Sequence, residues 1–239
     1  MNLHPLQYLI LVLFLTTIMI SGSYAASAPW VGDAFNAAPC NGKSQGYGPF
    51  DYNNRRSIPS THLYLVEMAH FTPSVENLIR GNAGTLVSDI DYTLRAWPNH
   101  HRALNSISRY KLLFPKKRKV LSPVECYFQR AINFSPDDAT TRMLFGAYLH
   151  KKKHLKAARK QYDKAIELSS KNPIIRYNFG LLLFEQKEYS LAQQQAVIAY
   201  DANFPLNGLK NKLKRVKFWP PKAMPEPVEN TSVAKPKQP

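Results

Sequence analysis

Acidic residues are scarce in this chain of 239 residues, which has 16 Asp and Glu against 32 Lys and Arg. The resulting formal net charge of +16 favours anionic partners, such as a membrane surface, lipopolysaccharide, an acidic protein or nucleic acid. Catalytic motifs are scarce as well, because the sequence has no HExxH zinc motif, no CxxC pair and no Gly-rich phosphate loop. We therefore expect no enzyme activity and no cofactor.

The first 25 residues contain no Lys, Arg, Asp or Glu. Residues 6–20 are almost entirely apolar, and Ser23 and Ala25 then form the small-x-small pattern of a signal-peptidase site. The apolar run is shorter than the roughly 20 residues of a membrane span. We expect a signal peptide over residues 1–25 and a periplasmic or secreted mature chain. For such a chain we do not expect nucleic acid to be the partner. The alternative is an uncleaved leader that anchors the protein in the inner membrane.

Only two cysteines occur, Cys40 and Cys126. An exported chain enters an oxidising compartment, where the two can form a disulfide that ties the N-terminal segment to the rest of the fold. In the chain-entropy model this contributes roughly 4 kcal/mol. Two independent thiols are the alternative, and no His or Cys stands beside them at zinc-ligand spacing.

The sequence repeats itself with an offset of 34 residues. Phe145-Gly146 corresponds to Phe179-Gly180, and other matching pairs are Leu149 with Leu183, Leu155 with Tyr189, Ala158 with Ala192, and Ala165 with Ala199. A Gly inside a helix costs roughly 1 kcal/mol relative to Ala, so these glycines indicate a close approach of the partner helix, with Ala158 and Ala192 facing them.

These residues resemble the tetratricopeptide repeat (TPR), which implies tandem helical hairpins. The implied fold is an all-α, TPR-like hairpin solenoid with an irregular N-terminal extension and a disordered C-terminal tail. Its expected parts are a linker and docked segment over 26–60, a helical region with degenerate repeats over 61–138, two clear repeats over 139–206, a basic capping helix over 207–218 and a disordered tail over 219–239. The segment of residues 47–103 is also similar to the N-terminal region of exported, uncharacterised TPR proteins of Gram-negative bacteria, which implies a periplasmic location and no known activity.

TPR arrays bind peptides or partner helices along the concave face that the first helix of each repeat forms. Carried onto this sequence, the resemblance implies a partner-binding scaffold whose face is apolar with a basic edge, suited to an amphipathic or acidic segment. The family's clamp for a peptide carboxylate needs several Lys, Arg and Asn, of which only Asn178 is in place, so we do not expect carboxylate capture. The implied face consists of Arg102, Asn105, Arg109, Met143, His150, Lys151, Tyr177, Leu181, Phe184 and Glu185.

Polar residues between 51 and 102 support an alternative of another class, a metal-dependent cell-envelope enzyme. Glu67 and His70 are three residues apart and could share one metal ion on a helix. His100 or His101, together with Asp89, could complete the set. The structural interpretation is that His70 and His101 form hydrogen bonds at helix ends, while Asp89 or Asp91 pairs with Arg95 or Arg102.

The capping helix has an apolar stripe of Leu209, Leu213 and Val216. A solenoid needs a terminal cap with one polar face, and this is our preferred interpretation. The other is contact with an anionic envelope surface. That contact would use Lys210, Lys212, Lys214, Arg215 and Lys217.

Overall fold

The computed structural model describes residues 27–115 and 121–220. The predicted signal peptide 1–25 and all but the first two residues of the predicted tail 219–239 lie outside these ranges. The described residues contain helices and no strand. The helices are α1 (Ser60–His70), α2 (Pro73–Glu76), α3 (Leu86–Ala96), α4 (His101–Leu113), α5 (Val124–Phe134), α6 (Ala139–Lys151), α7 (Leu155–Leu168), α8 (Pro173–Glu185), α9 (Tyr189–Asp201) and α10 (Gly208–Arg215).

Successive helices pair into hairpins that stack in one direction. Helix α4 packs on α5, α6 on α7 and α8 on α9, and α1 pairs with α3 at the N-terminal end. The first helices of the hairpins also contact one another in the order α4, α6, α8, and α10 continues this row against α8. The expected all-α hairpin solenoid is therefore confirmed.

Three of the first helices begin at a side-chain cap. His100 Nδ1 accepts from Ala103 N before α4, and Asp138 Oδ1 accepts from Thr141 N before α6. Asn172 caps α8 in the same way, with Pro at the first helical position. These caps fix where each helix starts, and so which side chains face the next helix.

Both repeat glycines lie close to their partner helix, as expected, but the alanine side chains are not the groups that face them. A Cβ at Gly146 would lie 3.2 Å from ring atoms of Tyr162, and one at Gly180 would lie 2.4 Å from Leu209 Cδ2. Ala158 and Ala192 are fully buried, but neither side chain is what these glycines approach most closely. The small residue at position 180 thus admits α10 as well as its own hairpin partner α9, where Ala192 O and Gln195 Cβ would lie 3.4 Å from the added Cβ.

Residues 27–59 form no helix and contact α3, α5 and α6. The structure joins Cys40 and Cys126 by a disulfide, as the sequence predicts for an oxidising compartment. Trp30 also packs edge-on against Tyr127, with ring centroids 5.2 Å apart. Phe35 stacks on His154 at 4.2 Å. The extension is therefore bound along the hairpins over most of its described length.

Helix α2 is shorter than the helix that the sequence predicts. A Thr-Pro start and the apolar spacing of Val75, Leu78 and Ile79 predict a helix that reaches Gly81. The helix ends at Glu76 instead, because Leu78 adopts a left-handed conformation with φ of 62°. No helix within the described residues is long and apolar enough to cross a membrane.

Candidate partner-binding face

The row of first helices brings equivalent positions into line. The fifth residues of α4, α6 and α8 are Asn105, Met143 and Tyr177, and the thirteenth are Leu113, Lys151 and Glu185. Positions spaced by three and four residues share one helix face. Since these helices are neighbours, their shared faces form one continuous surface on the inner side of the hairpins.

A pocket of about 370 Å³ opens where α6, α8 and α10 meet. We call it the Glu185 pocket. It brings together five of the predicted partner-binding residues and adds two lysines that the sequence did not assign to this face, Lys153 and Lys212. Its lining consists of His150, Lys151, Lys153, Leu181, Phe184, Glu185 and Lys212.

Glu185 is the only carboxylate that lines this pocket, and it is already engaged. Its Oε1 accepts from Lys153 Nζ at 2.7 Å, and its Oε2 lies 3.1 Å from His150 Nε2. The hydrogen bond from Lys153 holds the pKa of Glu185 below its usual value. Burial lowers the pKa of His150 despite the hydrogen bond to Glu185, so the imidazole is neutral at pH 7 and donates its Nε2–H.

The other two lysines of the pocket are differently placed. Lys212 Nζ lies 5.5 Å from the ring centroid of Phe184, a cation–π arrangement. Within the described residues, neither Lys151 nor Lys212 forms an ion pair. Three lysines therefore face one glutamate over a floor of Leu181 and Phe184, and the pocket keeps an excess of positive charge.

A second pocket of about 180 Å³ lies between α4 and α6, and we call it the Arg109 pocket. It contains the predicted residues Asn105 and Arg109 and shares Lys151 with the Glu185 pocket. The two pockets are thus adjacent parts of one groove along the row of first helices. The Arg109 pocket is lined by Asn105, Ser108, Arg109, Leu112, Leu144, Ala147, Tyr148 and Lys151.

Three predicted partner-binding residues serve the fold instead. Met143 and Tyr177 are each only 8% exposed, and the Tyr177 ring packs on Phe204 at 4.6 Å. Arg102 donates from Nη1 to Glu67 at 3.1 Å and from Nε to Glu76 at 2.8 Å. Its guanidinium therefore ties α4 to α1 and α2, and we remove all three residues from the partner-binding set.

The alternative metal set of Glu67, His70 and His101 does not form. Within the described residues no group of three or more His, Cys, Asp and Glu side chains is placed to hold a metal ion. Each member has a different partner: Glu67 pairs with His100 at 2.9 Å, His70 with Asp89 at 2.9 Å, and His101 with Asp138 at 2.7 Å. Among the pairs of the structural interpretation, Asp91 with Arg95 is present at 3.0 Å.

His100, the other histidine that could complete the metal set, is completely buried. Its Nδ1 accepts from the backbone of α4, so its Nε2 carries the proton and donates to Glu67. Burial lowers the pKa of His100 and keeps it neutral. Although burial would raise the pKa of Glu67, the hydrogen bond from His100 and the charge of Arg102 lower it.

Asp138 organises a second buried polar group. It accepts from Thr141 N, Thr141 Oγ1, Asn99 Nδ2 and His101 Nε2. Burial alone would raise its pKa, but these donors lower it, so the carboxylate is ionised. Asn99 also donates to Asp51 at 2.7 Å and accepts from Tyr52 N at 2.8 Å, which joins the N-terminal extension to the start of α6.

The expected absence of a GxSxG motif is wrong, because residues 42–46 have the spacing of a hydrolase nucleophile elbow. An elbow holds its serine between a strand and a helix. Residues 42–46 form neither, and the Ser44 carbonyl accepts from Arg95 Nη1 at 3.0 Å. Gln45 Nε2 donates to Arg95 O at 2.5 Å. The segment therefore connects the extension to α3, without the context that this motif requires.

Comparison with known proteins identifies the repeat. Residues 146–187 match a family model described as a TPR repeat, from within α6 to the turn after α8. No curated protein matches the chain. The matched segment includes both glycine positions of the 34-residue offset and most of the residues that line the Glu185 pocket. Together with the stacked hairpins, this match makes the fold an all-α, TPR-like helical solenoid.

Proposed function

We propose that this protein is an exported interaction module that binds an acidic, partly apolar segment of a protein partner in the groove formed by the Arg109 and Glu185 pockets. TPR repeats generally mediate protein–protein binding, which favours a non-catalytic scaffold. The observation that carries the proposal is the Glu185 pocket, where three lysines surround a floor of Leu181 and Phe184. The proposal that the protein is exported is supported by the sequence pattern of residues 1–25 alone.

The groove suits a ligand that supplies both negative charge and apolar surface. Leu181 and Phe184 are half-buried, so a partner side chain could cover their remaining exposed area at about 25 cal/mol per Å² of apolar surface. Exposed ion pairs add only about 0–1 kcal/mol each, so Lys151 and Lys212 would mainly accelerate association and select the sign of the ligand's charge. Affinity should therefore depend on Phe184 and charge discrimination on the lysines.

A pair of labelled peptides tests this assignment. One is composed of Glu and Leu, and the other has the same pattern with Lys in place of Glu. We expect the acidic peptide to bind and the basic one not to, as measured by fluorescence anisotropy. Binding should weaken several-fold between about 50 mM and 300 mM salt, because partly exposed charges are screened. Equal binding of both peptides would contradict the proposed ligand class.

Variants then locate the site. Phe184→Ala should weaken binding of the acidic peptide at all salt concentrations. Lys212→Gln should weaken it mainly at low salt and reduce its salt dependence. The matched controls are Leu191→Ala on α9 and Lys156→Gln on α7, which are exposed outside the groove. Tyr177→Ala is unsuitable, because removal of this core ring would lower stability by about 3 kcal/mol. Wild-type binding by both groove variants would contradict the site.

Export is tested separately from binding. We expect the protein recovered from the periplasm to have its N terminus at Ala26, as read by mass spectrometry. A chain lacking residues 1–25 should remain in the cytoplasm. Recovery of the full-length chain in the membrane fraction would instead favour the uncleaved, anchored form.

A further inference from the structure

The N-terminal end of the solenoid carries large apolar side chains that the fold leaves open. Tyr64, Leu65 and Met68 lie on α1 and are 62%, 51% and 51% exposed. Ile79, in the turn after α2, is 73% exposed. Asn82 holds this turn against the end of α1 by donating to the carbonyl of residue 69 at 2.9 Å. The four side chains thus belong to one end of the molecule, which we call the α1 face.

The two ends of the solenoid differ. At the C-terminal end, Leu209 and Leu213 of α10 are fully buried, whereas Lys212, Lys214 and Arg215 are exposed. Such a polar outer face is what a terminal cap requires. At the N-terminal end the α1 face is apolar instead. Exposed apolar clusters of this kind mark interaction surfaces.

The charges around the α1 face have one sign. Arg56 lies shortly before α1, Arg80 follows Ile79, and both are exposed. All carboxylates between residues 41 and 100 are half-buried or buried, and each accepts a hydrogen bond from within the protein. These carboxylates are Asp51, Glu67, Glu76, Asp89 and Asp91.

A shallow pocket of about 240 Å³ adjoins the exposed side chains between α1 and α3. Most of its lining is apolar or aromatic. His70 is the polar exception besides the tyrosine hydroxyls, and its Nδ1 lies 2.9 Å from Asp89 Oδ1. The pocket is lined by Tyr47, Leu65, Val66, Ala69, His70 and Tyr92. An apolar group that contacts α1 could enter it.

We propose that the α1 face is a peripheral docking surface for an anionic lipid bilayer. Tyr64, Leu65, Met68 and Ile79 would enter the boundary between headgroups and acyl chains, where an amphipathic tyrosine is well suited, while Arg56 and Arg80 contact lipid phosphates. A second copy of the chain is disfavoured as the occupant, because it would bring arginines against arginines in a molecule of net charge +16. The inference is independent of the groove, which lies along the row α4, α6, α8 and α10.

Vesicle binding tests this proposal with the chain beginning at Ala26, which keeps every described residue and lacks the apolar leader. We expect cosedimentation with vesicles of phosphatidylglycerol and phosphatidylcholine, and little with phosphatidylcholine alone. Replacing Tyr64, Leu65 and Met68 together with Ser should weaken binding at least about tenfold, because three apolar side chains no longer enter the bilayer. The side chains are exposed, so the variant's thermal midpoint should match the wild type.

Two matched controls keep the test decisive. Leu191→Ser with Ile198→Ser removes two exposed apolar side chains from α9 and should bind as the wild type does. For charge, Arg56→Gln with Arg80→Gln should abolish the preference for anionic vesicles, whereas Lys214→Gln with Arg215→Gln on α10 should not.

Three results would overturn the proposal. The first is wild-type vesicle binding by the triple serine variant. The second is loss of binding in the α10 variant alone, which would assign lipid contact to the basic cap. The third is a dimer of the unmodified chain, measured by light scattering, together with a monomer of the triple serine variant. That result would assign the α1 face to a second copy of the chain.

Discussion

Arg130 is expected to be a stabilising residue of this fold, because it caps the C-terminal end of α3. The last four carbonyls of a helix have no partner within it. In α3, the carbonyl of Thr93 accepts from Trp97 N at 2.8 Å and that of Ala96 from Phe50 N at 2.9 Å. Arg130 Nη1 donates to Leu94 O at 2.6 Å, and Gln45 Nε2 serves Arg95 O. All four carbonyls are therefore satisfied.

The same guanidinium also holds the N-terminal extension. Its Nε donates to Ala28 O at 2.7 Å. Arg130→Met would keep most of the side-chain volume and leave the carbonyls of Ala28 and Leu94 without this donor. Each buried unsatisfied group costs about 1–3 kcal/mol. Burial lowers the pKa of Arg130 to about 10, which reflects a desolvation cost that the substitution removes. We expect a net loss of about 3 kcal/mol.

Urea unfolding followed by circular dichroism measures this loss, which should also lower the thermal midpoint by about 6–12 °C for a domain of this size. Arg142→Met is the matched control, because Arg142 makes one hydrogen bond, to Pro136 O, near the surface. We expect the control to change the free energy of unfolding by less than about 1 kcal/mol. If Arg130→Met changed it no more than the control does, the capping argument would be refuted.

Three further predictions concern stability. Cys40→Ser with Cys126→Ser should lower the free energy of unfolding by about 4 kcal/mol in urea titrations, because the disulfide spans 86 residues; a loss below about 1 kcal/mol would contradict this. Gly48→Ala should lower it by about 2 kcal/mol, since φ is 92° and the new Cβ would lie 2.4 Å from a carbonyl of α3; an unchanged thermal midpoint would contradict it. Stability should fall as pH drops from 7 to 5, because burial lowers the pKa of His100 and protonation then favours the unfolded chain; His100→Gln should flatten this slope, and an identical slope would contradict the assignment.

The repeat could be predicted because its signals are local. Gly146 and Gly180 recur at the 34-residue offset, and the apolar spacing around them is helical. The sequence did not predict which side chains are covered by a later helix, because that depends on how the helices pack on one another. The resemblance to TPR places Tyr177 on the concave, partner-binding face, but Phe204 packs against its ring. Lys212 joins the groove because α10 continues the row of first helices, and no periodicity within residues 207–218 indicates that.

The polar residues of the N-terminal region were harder to interpret, because their partners are distant in the chain. Asn99 meets Asp138, and Glu67 meets His100. Adjacent histidines on a helix point in different directions, so the start of α4 decides which of His100 and His101 faces α1. That start is fixed by the cap at His100 itself. The residue types of this region fit either a metal site or a structural network. The position at which α4 begins distinguishes the two, because it decides which side chains meet.

The same network engages the acidic groups between residues 41 and 100. These carboxylates accept hydrogen bonds from histidines, arginines and backbone amides of the fold. Along the groove Glu185 is the only carboxylate in either pocket, and two lysines have no ion pair within the described residues. A partner that fits such surfaces must bring its own negative charge and apolar groups. Under the two proposals, the groove takes these from an extended segment and the α1 face takes them from a bilayer, so the two partners would not compete for one surface.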